Sequence, residues 1–190
     1  MDRKIEAILC DMDGTLFSTY KSNFFAYQSA AEEYGLELTD QEFRKTWGRD
    51  SREFLAELFP GVQKETLEEI RKLKAIRFQE FIGETSMNEA LVGILSLIRN
   101  QIQLGLVTTA KRTNVALLLS HFKLTNFFAT VVTGDDVKLG KPSPEGYLIA
   151  VERLSSHSSL CLAIEDSDAG VQAAESAGIS CLRIESYEPR

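Results

Sequence analysis

Ala7-Ile8-Leu9-Cys10-Asp11-Met12-Asp13-Gly14-Thr15-Leu16 is an apolar run that ends in two carboxylates one residue apart, followed by a glycine. A short continuous apolar run marks a parallel strand buried on both faces, and ligand sites of open parallel sheets lie just beyond the carboxyl ends of such strands. Asp11 therefore stands at the mouth of a site. If the chain stayed extended, period-two alternation would turn Asp11 and Asp13 to the same side, where both carboxylates could converge on one cation or reacting centre. Gly14 permits the sharp departure that follows. Solvated aspartates in a strand-end turn are the competing reading, since Asp and Gly are common turn residues. Three later stretches weigh against it.

Beyond this strand the pattern changes to helical spacing: Phe24, Tyr27, Ala31 and Tyr34 lie three or four apart, and Gly35 ends the run. Thr39-Asp40-Gln41-Glu42 has the form of a capping box and opens a second helix carrying Phe43 and Trp47. Arg49 to Phe59 reads as a third helix closed by Pro60-Gly61, and Thr66-Leu67-Glu68-Glu69 repeats the capping signal before a fourth. Residues 17–82 are thus expected to form an all-helical insert whose aromatics are core. After the capping form Ser86-Met87-Asn88-Glu89, strands alternate with helices: strands at 103–108, 129–133, 160–164 and 180–184, helices at 115–122, 144–154 and 169–177. The expected fold class is α/β, a doubly wound, Rossmann-like parallel sheet formed by residues 1–16 and 83–190, with the helical segment inserted as a cap domain.

Composition bounds the function. The 190 residues are 44% hydrophobic and 26% charged, within the range of ordinary globular domains. No apolar run reaches the roughly 20 residues needed to span a bilayer, and Met1-Asp2-Arg3-Lys4 leads straight into a strand, so no membrane partner and a cytoplasmic location are expected. A net charge of −7 argues against a nucleic-acid surface. Cys10, Cys161 and Cys181 are far apart and odd in number, which reads as buried residues in a reducing compartment. A monomer is expected, and an anionic small substrate would have to be met by local positive groups.

The remaining chemistry collects at strand ends. Leu106-Val107-Thr108-Thr109-Ala110-Lys111 places the Thr108 hydroxyl and a turn of backbone N–H groups, including that of Thr109, at the edge that carries Asp11, an arrangement suited to a phosphate oxygen. In Gly140-Lys141-Pro142-Ser143-Pro144-Glu145, two prolines stiffen the loop around Lys141, with Ser143 expected to cap the next helix. A lysine there can neutralise both an attacking carboxylate and the phosphate it approaches. Ile164-Glu165-Asp166-Ser167-Asp168-Ala169-Gly170 supplies a second carboxylate pair. Mg²⁺ favours oxygen ligands, so Glu165 and Asp166 with Asp11 and the Asp13 carbonyl make a candidate metal set, while Asp168 reads as a helix cap. Taken alone, these residues point to a Mg²⁺-assisted phosphate site that also includes Gly14.

Asp11-Met12-Asp13-Gly14-Thr15-Leu16 resembles the first signature of the haloacid dehalogenase superfamily of aspartate-nucleophile phosphatases. Thr108, Gly140-Lys141-Pro142 and Glu165-Asp166 are similar to its second, third and fourth motifs, the last in the Glu-Asp form of β-phosphoglucomutase-like and phosphoglycolate phosphatase-like members. In the alternative form an acidic residue stands four after the Asp, where this chain has Gly170. The resemblance implies attack on phosphorus by Asp11, giving an aspartyl-phosphate, with Asp13 as general acid and base. A mutase of the family carries a cap histidine that Asn23 replaces, which favours a phosphatase over a sugar phosphomutase. A receiver-like signalling domain differs in motif order, and a non-catalytic phospho-ligand-binding descendant would have to keep every motif residue without using it. Arg49 and Arg52, between two helices of the insert, are candidates with Asn23 for recognising the substrate beyond phosphorus.

Overall fold

The computed structural model describes residues 4–47 and 51–187. It divides into two compact units, Met1–Ser18 with Ser86–Arg190, and Thr19–Thr85. The first unit begins with β1 (Ala7–Cys10) and β2 (Phe17–Ser18).

The helical unit contains α1 (Tyr20–Glu32), α2 (Asp40–Thr46), α3 (Ser51–Leu58), α4 (Lys64–Arg77) and a 3₁₀ turn over Phe78–Glu84. Tyr20, Phe24 and Tyr27 of α1 meet Phe43 and Phe54 in one aromatic core, with Tyr27 and Phe54 edge to face at 5.3 Å between centroids, a geometry that adds to the burial energy of the rings. Thr39 and Glu42 form the expected capping box. Thr66 does not cap α4: after the turn at Gly61 the chain is helical from Lys64, with Gln63 as the residue before it. The last aromatics of that run, Phe78 and Phe81, fall in the 3₁₀ turn.

The chain then forms β3 (Ser86–Met87), which pairs antiparallel with β2, Phe17 opposite Met87. This ribbon belongs to the α/β unit, so the boundaries of the compact units fall after Ser18 and before Ser86 rather than after Leu16 and before Gly83. Ser86 is consequently a strand residue, and Asn88 caps α5 (Glu89–Ile98) by accepting from Leu91 N–H. There follow β4 (Gln103–Val107), α6 (Arg112–His121), β5 (Thr130–Val132), α7 (Glu145–Arg153), β6 (Cys161–Glu165), α8 (Asp168–Ser176) and β7 (Ser180–Arg183).

Five parallel strands lie in the order β5-β4-β1-β6-β7. β1 is central, Ile8 aligned with Leu104 on one side and Leu162 on the other, which is why its four residues are buried without alternation. Ala7 and Leu9 pack with Tyr147 and Val151 of α7 and Ala173 and Ala174 of α8. Right-handed crossovers assign α5 and α6, whose connections run the other way across the sheet, to the opposite face. Cys10 and Cys161 are buried, Cys181 is half-buried, and all three are free thiols. Among the described residues, no helix is long and apolar enough to cross a membrane.

Candidate active site

β1 delivers its carboxylate by continuing its ladder one residue past Cys10: Asp11 N–H donates to Ile164 O at 3.0 Å, which sets Asp11 beside the end of β6. The chain then folds tightly, Leu16 and Phe17 N–H both donating to Met12 O at 3.0 Å and Gly14 N–H to Phe17 O at 2.8 Å. Asp13 lies half-buried at the start of this turn rather than in a continued strand. Gly14 is required twice over: its φ of +83° favours glycine, and a Cβ there would lie 2.1 Å from Asp166 Oδ2.

Lys141 reaches into the sheet edge. Its ammonium donates to Asp11 Oδ1, to Glu165 Oε1 at 2.6 Å and to Val107 O at 2.9 Å, so all three N–H bonds are used. Tyr147 OH donates to the same Glu165 oxygen at 2.6 Å. Glu165 has no exposed surface. Its other oxygen accepts from Ser167 Oγ at 3.4 Å. The carboxyl occupies the space a side chain at 170 would need, a Cβ on Gly170 falling 2.0 Å from Glu165 Cδ. The missing acid at 170 and the present acid at 165 are therefore alternatives in the same volume.

Oxygens of Asp11, Glu165 and Asp166 lie within 4.8 Å of one another. Burial pushes the Asp11 carboxyl up to about 8; Lys141 pulls it back, while Glu165 and Asp13 add to the rise. Burial raises Asp166 too, opposed by a hydrogen bond from Ser186 and reinforced by Glu165. Burial works against the Lys141 ammonium, but the attraction of Asp11 and Glu165 outweighs it and its pKa rises. Three carboxylates share one ammonium, and a hard, oxygen-only donor set with surplus negative charge fits a divalent cation of the Mg²⁺ kind. The Asp11, Glu165 and Asp166 cluster could hold such an ion.

Thr108 is buried, and its Oγ1 accepts from Ala110 N–H at 3.0 Å, which leaves the hydroxyl proton to donate. The Thr109 backbone packs on Gly134, where a Cβ would come within 2.3 Å of its carbonyl oxygen. Ser143 Oγ accepts from Glu145 N–H at 3.3 Å, although Pro144 is the residue that precedes α7. Ser167, not Asp168, caps α8, by accepting from Gly170 N–H; Asp168 sits in the first turn and pairs with Arg183. A hydroxyl at 167 reaches N3 of the helix, and the carboxylate one residue later is left to the surface.

In the helical unit, Asn23 donates to Thr19 O at 2.8 Å and accepts from Lys74, so both ends of its amide are engaged. Lys74 is buried over the rings of Tyr27 and Phe78, each centroid 5.0 Å from the ammonium. Arg52 is exposed in the first turn of α3. Arg49 lies outside the described residues.

Residues 8–184 match the haloacid dehalogenase-like hydrolase family. The chain belongs to this family. It is 37% identical over 92% of its length to the phosphorylated carbohydrates phosphatase of Thermotoga maritima, covering 82% of that protein, and 26% identical over 97% of its length to the β-phosphoglucomutase of Bacillus subtilis, covering 85%. Among solved structures it is similar to a mutant of CbbY from Rhodobacter sphaeroides in complex with xylulose-(1,5)bisphosphate, with a TM-score of 0.84, 26% identity, and coverage of 96% of this chain and 87% of that one. The five-stranded parallel sheet and flanking helices are those of haloacid dehalogenase-like neighbours.

Tyr147 and Ser167 escape a reading of the sequence. Tyr147 stands where α7 needs an apolar core residue, and nothing local shows that its hydroxyl meets a carboxylate 18 positions later. Gly170 carries a usable signal, a glycine in the first turn of a helix, four residues after the second acid of the Glu165-Asp166 pair.

Proposed function

We propose that this chain is a Mg²⁺-dependent phosphatase of small phosphorylated metabolites, working through an aspartyl-phosphate on Asp11. The family and the phosphatase-named relative support a phosphoric monoester hydrolase. The observation that carries the finer reading is the meeting of Asp11, Lys141, Glu165 and Asp166 at one sheet edge. Asp11, Glu165 and Asp166 would hold the ion, which when bound supplies positive charge to the acids and to the phosphoryl oxygens.

In this reading the free Asp11 oxygen attacks phosphorus in line as the ester P–O bond breaks, and Asp13 gives its proton to the departing alkoxide. Water then attacks the acyl phosphate, Asp13 takes the proton, and inorganic phosphate leaves with Asp11 restored. Lys141 offsets the repulsion between nucleophile and phosphate, and the Thr108 hydroxyl and Thr109 N–H take equatorial oxygens; such positioning is the main catalytic contribution in phosphoryl transfer. Tyr147 and Lys141 hold Glu165 fixed throughout.

Hydrolysis is preferred to phosphomutation because the amide of Asn23 cannot carry a proton as an imidazole can. Phosphorylated sugars are the substrate class to begin with, in view of the carbohydrate phosphatase relative and the sugar bisphosphate in the CbbY structure. Arg52 is proposed to contribute to recognition beyond phosphorus, since a guanidinium suits anionic and hydroxylated groups. The test is phosphate release from a panel of sugar phosphates with saturating Mg²⁺, with and without chelator. Release that the chelator abolishes supports the reading. No release from any member, or release untouched by chelator, contradicts it; sugar phosphate isomerisation without release would favour the mutase.

A further inference from the structure

Lys141 is delivered to a buried site by a loop with little packing of its own. Its side chain is 10% exposed, yet Lys138, Leu139, Gly140 and Pro142 around it are exposed, Leu139 at 67%. Hydrogen bonds therefore have to hold the loop in shape. Glu145, half-buried at the start of α7, turns its carboxylate back onto it: Lys138 N–H donates to Oε1 and Oε2, both at 3.1 Å, and Leu139 N–H to Oε2 at 3.0 Å. The N–H groups of Leu139 and Lys138 hold the Glu145 carboxyl below its usual range. Inside the loop closed in this way, Ser143 N–H donates to Gly140 O at 3.0 Å. Gly140 in turn lies against the turn after β4, where a Cβ on it would come within 3.3 Å of Thr109 Cγ2. An acid in the first turn of a helix is favoured by the helix dipole wherever it points; this one points at the loop that carries Lys141. Two residues further along the same helix, Tyr147 holds Glu165, so α7 fixes both the base of the lysine and one of the carboxylates it meets.

We propose that Glu145 is a positioning residue for Lys141: by closing the loop on Lys138 and Leu139 N–H, its carboxylate fixes the backbone from which the ammonium reaches Asp11 and Glu165. This rests on the phosphatase reading given above, in which Lys141 offsets the repulsion between Asp11 and the phosphoryl group. The three bonds of the ammonium hold only the tip of a long, flexible stem. Without Glu145 the exposed backbone beneath that stem samples other conformations, and the charge has to be placed again at each turnover. A charge held in advance needs no reorganisation when the phosphoryl group arrives. Glu145 touches neither substrate nor the reacting atoms in this account.

The experiment compares the intact wild-type chain with Glu145→Ala and Glu145→Gln, by NMR of the metal-free protein carrying isotope-labelled lysine and by the kinetics of phosphate release from sugar phosphates at saturating Mg²⁺. In wild type the buried Lys141 ammonium, with all three N–H bonds used, should give a slowly exchanging signal, assigned by its loss in Lys141→Arg. Glu145→Ala should broaden or lose that signal and lower kcat/KM by about tenfold to a hundredfold, the size that a displacement of about 1 Å in a catalytic group can cost. Glu145→Gln, whose amide oxygen in the Oε2 position still accepts from both N–H groups, should keep the signal and most of the rate. Should Glu145→Ala fail to fold, Glu145→Asp, one methylene too short to reach the loop, carries the same expectations. A wild-type rate in Glu145→Ala overturns the positioning role. So does a rate loss with the Lys141 signal intact, or a loss as large in Glu145→Gln, which would mark Glu145 as merely structural. A wild type that releases no phosphate, while Glu145→Ala still loses the Lys141 signal, overturns the phosphatase reading and supports the hold of Glu145 on Lys141.

Discussion

Two charged clusters stand at the same edge of the sheet, and their balance is opposite. At the ends of β1 and β6, Asp11, Glu165 and Asp166 share the single ammonium of Lys141. After β5, the one carboxylate of Asp136 takes Arg112 at 2.7 Å, Arg153 at 2.7 Å, and both the N–H and hydroxyl of Thr133 at 2.8 and 2.7 Å. Burial alone would raise Asp136, but its bonds to Arg153, Thr133 and Arg112 hold it well below the usual carboxylate range. Asp11 is driven the other way, up to about 8. The second cluster is complete as it stands and joins α6, β5 and α7. The first carries surplus negative charge in a buried place, a cost that the proposed function explains by a cation or a phosphoryl group received there.

The sharpest way to break this contrast is Lys141→Met. It strips the buried Glu165 and Asp11 of their shared cation, and loss of one partner from a buried ion pair costs about 3–5 kcal/mol. Denaturant unfolding of the metal-free chain should show a loss of that size, with phosphate release abolished; a variant as stable as wild type would mean that the cluster is not held by this charge. Tyr147→Phe removes one neutral donor and leaves Lys141 in place. The expected cost is about 1–3 kcal/mol for a buried charged acceptor deprived of a bond, read in the same unfolding assay.

Acid–base titration of stability separates the clusters by sign. The folded state keeps a proton on Asp11 that the unfolded chain releases near pH 4, so metal-free stability from this group falls as pH rises from about 4 towards about 8. Asp11→Asn should flatten that part of the profile. Asp136 has a depressed folded pKa, so its stability is fully present above the unfolded value near pH 4 and is lost as pH falls below it. Asp136→Asn should cost only about 1 kcal/mol at neutral pH, because the two guanidiniums are half-exposed and screened, and should remove the acid-side loss. Melting curves of both variants between pH 3 and pH 9 test this; profiles with the same sign in the two variants would remove the distinction.

The first of these clusters was far more legible in the sequence than its surroundings. Asp11, Lys141, Glu165 and Asp166 each follow or flank a strand-like apolar stretch, and strand ends of a parallel sheet converge by topology, so one-dimensional order carries three-dimensional information there. Tyr147 acts across the fold on a carboxylate, and its local sequence is that of an ordinary helix. Helix starts were read well where the side-chain bond is local, as at Thr39, and misplaced where a tertiary element won, as at Ser86, which β2 recruits into a ribbon. Asp168 lost the cap of α8 to Ser167 by one residue, a choice between two good capping side chains that only the path of the backbone after Glu165 decides.

The central claim is that Asp11 is the group that accepts the phosphoryl, and rapid acid quench with peptide mass analysis tests it most directly. Wild type mixed with Mg²⁺ and a sugar phosphate that it hydrolyses should carry phosphate transiently on the peptide containing Asp11. Asp13→Asn should still be phosphorylated while turning over about a hundredfold or more slowly, the usual worth of a general acid–base group. Asp11→Asn should carry none and lose turnover by about 10⁴-fold or more, as removal of a nucleophile does. Phosphate on another residue, or an Asp11→Asn variant that still forms a phosphoenzyme, would contradict the account.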